Sequence, residues 1–359
     1  MQPLQILIVR LGAMGDVLHA LPAVSALRAT LPGCQIGWAI EPQWTALLRA
    51  TSAAADTPRG PLMPVIDHLH IVPAKQWARR PLSAQTLRSI RAVRRELRSQ
   101  HYDLAIDLQG AIRSAWIGRM AHTPRLVGEQ SPREPLARWL FGERVATTGV
   151  HVIEQAREVV EQALKKTRGA LPDCAPDLPC DPAAEQWVNA WLAERSIRQF
   201  VLMNPGAGWG AKCWPIDRYA EVAQKIAAAG FPVVVNAGPK EAPLAEALCR
   251  QAGAQVFVMS GSLDTLITCT RRAALFIGGD TGPLHLAAAL RIPVVGIYGP
   301  TDPGRNGPWG TRAIVLRHPQ SRRDHARRSQ PEAGLLTITP ASVVAAAMSL
   351  LPAKAQETR

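Results

Sequence analysis

No C-x-x-C pair occurs in this 359-residue chain, although it has six cysteines, and no histidine cluster accompanies them at zinc spacing. That excludes the common zinc-site and dithiol readings and leaves reduced, mostly buried thiols. D-x-D is also missing, so no acidic pair of that kind is available to hold a divalent cation on a diphosphate, and no metal is expected. No apolar run reaches the ~18 residues of a membrane span, and the apolar stretch 4–9 before Arg10 is too short for a signal peptide. The expectation is a cytoplasmic protein, with a peripheral place on the inner membrane left open. Acidic residues are few: 28 Asp and Glu stand against 41 Lys and Arg, for a net charge of +13. Nucleic acid, an acidic membrane face and phosphorylated small molecules all suit that balance. Phe (5) and Tyr (3) are scarce, aromatics are not interleaved with the basic clusters, and no nucleic-acid motif is present, which argues against nucleic acid.

What the chain does have is apolar content of 47%, ample for packed cores. Strand-like runs alternate with helical patterns, the mark of parallel α/β layers. Strands are expected at 4–9, 36–40 and 104–108, with helices at 16–30 and 83–99. The second of these helices is basic, and Leu87, Ile90, Val93 and Leu97 fall on one side of it. "KKTRGALPDCAPDLPCDP" (165–182) then breaks the pattern with prolines and small polar residues. Strands resume at 200–203, 232–236, 255–259, 275–278 and 294–298, separated by helices at 215–229, 242–252, 263–273 and 283–290. The reading is two doubly wound Rossmann-like domains, 1–170 and 183–359, joined by a linker at 171–182 and facing a central cleft. A last apolar helix, 341–351, is free to pack back on the first domain.

In open parallel sheets, ligands sit beyond the carboxyl ends of the strands. Several loops there carry polar chemistry. "LIVRLGAMGDVLHALPAV" (7–24) places Gly12 and Gly15 at a sharp turn and Asp16 at the start of a helix. A routine cap and a catalytic base are both open for Asp16. A dinucleotide reading is weak, because only G-x-x-G is present, although Glu41 ends the next strand. In "GGDTGPLHLAAALRIPVVGIYGP" (278–300), Asp280, Thr281 and Gly282 precede Pro283 at a helix start, and His285 lies one turn further in. Such a start binds phosphate through exposed amides and the helix dipole. Separately, Asp280 reads as a cap and His285 as a core histidine; together they favour the phosphate site. "NPGAGWGAKCWP" (204–215) adds Lys212, an ammonium for a diphosphate. "NAGPKEAP" (236–243) adds Glu241, suited to ribose or sugar hydroxyls. Three loops of one sheet point to a nucleotide diphosphate bearing a polar group.

The stretches "MGDVLHALPA" (14–23), "DLQGAIRSA" (107–115), "REPLAR" (133–138), "KCWP" (212–215), "GGDTGPLHLAAA" (278–289) and "YGPTDP" (298–303) run in order along nearly the whole chain. They resemble glycosyltransferase family 9, the lipopolysaccharide heptosyltransferases. "MGDVLHALP" with "DLQG" is similar to the heptosyltransferase I subfamily, which adds the first heptose. The resemblance implies a GT-B fold, an acceptor on the N-terminal domain and an ADP-heptose donor on the C-terminal one. It implies transfer of L-glycero-D-manno-heptose to the 3-deoxy-octulosonic acid of the lipid A core, without a cofactor. Asp16 becomes the catalytic base. Lys212, Glu241, Asp280, Thr281, Gly282 and His285 become donor residues, while Gly15, Gln109, Arg113 and Arg133 become candidate acceptor residues. The family's basic acceptor segment is matched by "PAKQWARRP" (73–81) only in character, and 317–334 lacks cysteines found in many relatives. A heptosyltransferase II-like acceptor or another nucleotide sugar is the alternative, and a basic nucleic-acid-binding protein the non-enzyme one. Arginines of the 83–99 helix fit either an anionic membrane surface or plain solvation.

Overall fold

Runs of three to six residues, most of them apolar, become the strands of two separate sheets. A computed structural model describes residues 3–164, 171–238, 241–323 and 329–352. The chain divides into two compact units, Met1–Asp181 and Pro182–Arg359.

In the first unit the strands are β1 (Gln5–Val9), β2 (Gln35–Ile40), β3 (His68–Ile71), β4 (Leu104–Asp107), β5 (Arg125–Glu129) and β6 (Glu143–Val145). The helices are α1 (Met14–Thr30), α2 (Ala74–Arg79), α3 (Ala84–Ser99), α4 (Ile112–Met120) and α5 (Val152–Leu164). The sheet order is β3-β2-β1-β4-β5-β6, every pair parallel. Ile6, Leu7, Ile8 and Val9 of β1 are fully buried, as a strand covered on both faces requires. One apolar core joins the sheet to α3, α4 and the short turn Pro135–Leu140 through Val93, Leu97, Ala115 and Ala137.

The second unit repeats the plan. It runs α6 (Pro182–Glu194), β7 (Val201–Asn204), α7 (Ile216–Ala228), β8 (Val233–Ala237), α8 (Ala242–Ala252), β9 (Val256–Ser260), α9 (Leu263–Arg272) and β10 (Leu275–Gly279). It ends with α10 (Gly282–Ala289), β11 (Val294–Tyr298), α11 (Pro303–Asn306), β12 (Ala313–Arg317) and α12 (Pro340–Leu350). Its order, β12-β11-β10-β7-β8-β9, is the first sheet's order in mirror listing, again parallel throughout. Each sheet therefore reverses its strand order once, between β1 and β4 in the first unit and between β7 and β10 in the second. A doubly wound sheet binds its ligand at such a reversal, because the flanking loops diverge there.

Several regions differ from the sequence reading, which assigned neither the strands β3, β5, β6 and β12 nor the helices α2, α4, α5, α6 and α11. Over residues 171–181, the stretch read as a linker is strapped to the first unit. The Cys180 amide donates to the Pro61 carbonyl at 2.9 Å, and the Asp181 carboxylate accepts from the Ser52 amide at 2.9 Å. Residues 165–170 lie outside the described residues. The final helix, α12, places Val343, Ala346, Ala347 and Leu350 in the core of its own unit, with α7.

Candidate active site

At the reversal of the first sheet, the chain leaves β1 through Arg10, Leu11 and Gly12. Gly12 has φ +146°, and a Cβ there would stand 2.6 Å from the Trp44 indole nitrogen, so only glycine suits this turn. Asp16 is not the N-cap of α1; that position is Ala13, and Asp16 is the third helical residue. An acid anywhere in the first turn complements the helix dipole, which is why the helix can start earlier than expected. Its Oδ2 accepts the Ala13 amide at 2.9 Å, and its Oδ1 pairs with Arg10 at 2.9 Å. Arg10 also donates to the Asp16 carbonyl at 3.1 Å and to the Leu108 carbonyl after β4. The Asp16 side chain is 34% exposed, so the braced carboxylate can still be reached. His19, one turn on, is buried edge-on against His151.

The loop after β4 is organised by a buried residue that the sequence reading passed over. Asp107 Oδ1 accepts the amides of Gln109 (2.8 Å) and Gly110 (2.7 Å), while Oδ2 has no hydrogen-bond partner among the described residues. Burial pushes this carboxyl up to about 6, against the opposing pull of Gly110, Ser114, Gln109 and the Arg10 charge. The signals for it were an acid closing an apolar strand and its place at the head of "DLQGAIRSA". Gln109 uses its side-chain oxygen to accept the Leu11 amide at 2.8 Å, so that atom ties the two loops together and is already engaged. Glu134 joins the next pieces: its amide donates to the Gly110 carbonyl, and its carboxylate accepts the Ile112 amide at 2.8 Å. Arg113 and Arg133, both exposed, flank this junction, and Gly15 sits in the first turn of α1.

Glu41, the acid a dinucleotide reading needs, is buried and accepts the Lys75 amide at 3.0 Å. It is a structural residue. On α3, Val93 and Leu97 are buried and Ile90 packs beside them, but Leu87 is 43% exposed and does not join that side.

The second sheet brings the donor candidates together. Loops after β7, β8 and β10 are neighbours because these strands are neighbours. Asn236 donates to the Asn204 side-chain oxygen at 2.7 Å, and Asn204 donates to the Gly206 carbonyl at 3.2 Å. Glu241 lies against Gly206 so closely that a Cβ on residue 206 would fall 1.8 Å from its Oε1. Its Oε2 accepts the Gly238 amide at 3.2 Å.

Lys212 closes a short turn, Gly210–Lys212, and its ammonium lies 2.5 Å from Asp280 Oδ2 and 3.3 Å from the Asp280 carbonyl. The Trp209 ring lies under the same ammonium, 4.4 Å from its centroid. Asp280 Oδ1 stands 3.0 Å from His285 Nε2. Burial alone would raise the Asp280 carboxyl, but the hydrogen bonds and charges of His285 and Lys212 outweigh it and hold it well below the usual carboxylate range.

This geometry corrects two expectations. Asp280 is no cap; Thr281 is the N-cap of α10, and its hydroxyl turns to the Gly279 carbonyl at 3.3 Å. His285 is buried and aimed at Asp280 rather than at an anion beyond the helix start, since a buried carboxylate demands its own donors. The amides of Leu284 and His285 are taken by the Thr281 carbonyl. No backbone bond from the Thr281 or Gly282 amide is seen among the described residues. Among the described residues no group of three or more His, Cys, Asp or Glu could hold a metal ion.

Comparison with known proteins follows the same residues. A family model described as glycosyltransferase family 9 (heptosyltransferase) matches residues 90–335. The chain is 29% identical over 319 residues to lipopolysaccharide heptosyltransferase 1 of Pseudomonas aeruginosa, covering 87% of this chain and 83% of that one. It is 27% identical to the enzyme of the same name from Escherichia coli K12, covering 88% and 94%. The solved structure of E. coli heptosyltransferase WaaC with ADP superposes with a TM-score of 0.78 at 25% identity, over 97% of this chain and all of that one. The GT-B type of α/β fold expected from the motifs is the fold of these enzymes. With more than half its length under the family model and both sheets matched, the chain belongs to glycosyltransferase family 9, the heptosyltransferases.

Proposed function

We propose that the protein is a heptosyltransferase of the first type, moving heptose from ADP-heptose to the 3-deoxy-octulosonic acid of a lipid A core. One observation carries the reading: an ammonium, a carboxylate and an imidazole (Lys212, Asp280, His285) are locked together at the strand reversal of the second sheet, inside the stretch matched by the family model. Relatives with this name, and a related structure holding ADP, support the donor.

The reaction is a single displacement. An acceptor hydroxyl gives its proton to Asp16 as its oxygen bonds to the anomeric carbon, and the bond from that carbon to the diphosphate breaks, releasing ADP with inversion. General-base help contributes about 10²–10⁴-fold. Arg10 holds the Asp16 carboxylate in place through its ion pair and its bond to the Asp16 carbonyl; it is a positioning residue. The leaving diphosphate gathers charge, which Lys212 and the amides of Thr281 and Gly282 offset. Fixed donors aimed at developing charge commonly supply the larger part of the acceleration. Asp280, held by His285, aims the lysine, so His285 serves the donor through Asp280 and not by direct contact. Glu241 takes hydroxyls of the ribose or heptose. Gly15, Gln109, Arg113 and Arg133 line the acceptor's approach, and the surplus positive charge suits its carboxylates and phosphates at the cytoplasmic membrane face.

These groups supply the charge a metal otherwise brings, so transfer is expected to survive a chelator. The deciding assay offers the purified protein ADP-heptose and two acceptors, one without heptose and one already carrying it, with product read by mass. Heptose added only to the bare acceptor supports the proposal. Heptose added only to the substituted acceptor assigns the second type instead, and transfer from a different nucleotide sugar removes the donor.

A further inference from the structure

The layer formed by α3, α4 and the turn Pro135–Leu140 packs its inner side into one core and leaves an unusual outer side. Trp139 is 62% exposed and Leu136 65% exposed, and exposed apolar side chains that lie together mark an interaction surface where isolated ones do not. On α4, Ile112 and Trp116 are also exposed and four residues apart, so they share one side of the helix. The α4 helix and the 135–140 turn lie together, tied by the Glu134 bond to the Ile112 amide and by Arg119 donating to the Leu140 carbonyl at 2.7 Å. The four apolar side chains therefore belong to one region.

Cations frame it. The guanidinium carbons of Arg138 and Arg144 lie 5.0 and 5.3 Å from the centroid of the Trp139 ring. Arg113 and Arg119 are exposed on α4, and α3 adds the exposed Arg88, Arg91, Arg94 and Arg95. The neighbouring acids are engaged: Glu134 with the Ile112 amide, Glu143 with Arg125, and Glu96 with His70. An indole set among arginines has the chemistry of a water–lipid boundary. The ring suits the level of the headgroups, and the guanidinium groups reach lipid phosphates.

We propose that this surface, centred on Trp139, docks the protein on an anionic lipid bilayer. The occupant is a bilayer because charge and apolar exposure coincide; a neutral protein partner would satisfy the tryptophans and leave the arginines facing nothing. The surface continues into the loop of Gly110 and Arg133, since Glu134 bonds the Gly110 carbonyl. It would bring that loop to the headgroups. Docking needs neither donor nor acceptor, so it stands or falls apart from the reaction proposed above.

The test is flotation of the full chain with vesicles of phosphatidylcholine alone or mixed with phosphatidylglycerol, with no substrate present. The intact protein should float with the anionic vesicles and release as salt rises. Trp139→Ala should weaken that binding roughly tenfold, as expected for losing one inserted apolar side chain. Arg138→Gln and Arg144→Gln should each cost about fivefold. Trp139→Phe should restore most of the loss, and unchanged melting temperatures should show the variants folded. Anionic-vesicle binding equal to that of the intact protein in folded Trp139→Ala and in the arginine variants overturns the proposal. So does a Trp139→Ala effect confined to self-association in gel filtration.

Discussion

Asp16 spends one carboxylate oxygen on Arg10 and the other on the Ala13 amide, and a third of the side chain is exposed. Such a residue can be a brace, a base or both, and its substitution separates them. Asp16→Ala is expected to lower kcat at least a hundredfold, the range for losing a general base, with ADP affinity kept. Loss of the first-turn contact should cost only about 1 kcal/mol in thermal melts. A variant that melts earlier and turns over normally would leave Asp16 as a brace alone. Asp107 behaves differently. Its carboxyl is pushed up to about 6 in the fold, above the ordinary value near 4, so the folded chain keeps a proton that the unfolded chain has released. Stability therefore falls as pH rises through that window, by roughly 3 kcal/mol. Asp107→Asn cannot ionise. Its melting temperature should gain on that of the wild type between pH 4 and pH 7.5, and parallel curves would refute the assignment. Lys212 and Asp280 form a nearly buried pair, with side chains 11% and 6% exposed. Removing either alone should cost about 3–5 kcal/mol by stranding the other charge. Lys212→Met combined with Asp280→Asn should cost less than either single change, which denaturant melts can check.

The loops after β7, β8 and β10 work as a unit because parallel neighbours deliver their ends side by side. Gly206 is the tightest point. Gly206→Ala must push Glu241 away, so donor affinity is expected to fall about tenfold while the melting temperature holds, on the usual worth of one charged hydrogen bond. Equal donor affinity in titration calorimetry would free Glu241 from its proposed role. Although β12, α6 and α11 went unread, the other elements of this half were legible because their strands are continuous apolar runs: α8 and β11 fall where periodicity alone puts them. The stretch from 109 to 164 was not. There β6 is three residues long with two exposed, and β5 begins and ends on charged residues, so neither presents a period to read. Motif residues fared better than their partners. Lys212, Asp280 and His285 could each be singled out along the chain, but the pairing of Lys212 with Asp280 spans 68 residues and depends on the sheet order. Arg10 was invisible as a brace for the same reason, since its anchor at Leu108 is 98 residues away.

Taken as a whole, the chain uses one topology twice and loads each strand reversal with different chemistry. The first sheet offers a carboxylate steadied by a guanidinium; the second offers an ammonium steadied by a carboxylate and an imidazole. An excess of 41 basic over 28 acidic residues then favours anionic molecules near either unit. The proposed division of labour puts the diphosphate on the second unit. A crystal structure of the protein with ADP measures this. The phosphates are expected within hydrogen-bonding distance of Lys212 Nζ and the amides of Thr281 and Gly282, with Asp280 still bonded to His285. Phosphates seated instead on the Gly12 turn of the first sheet, with Lys212 left on Asp280 alone, would contradict it.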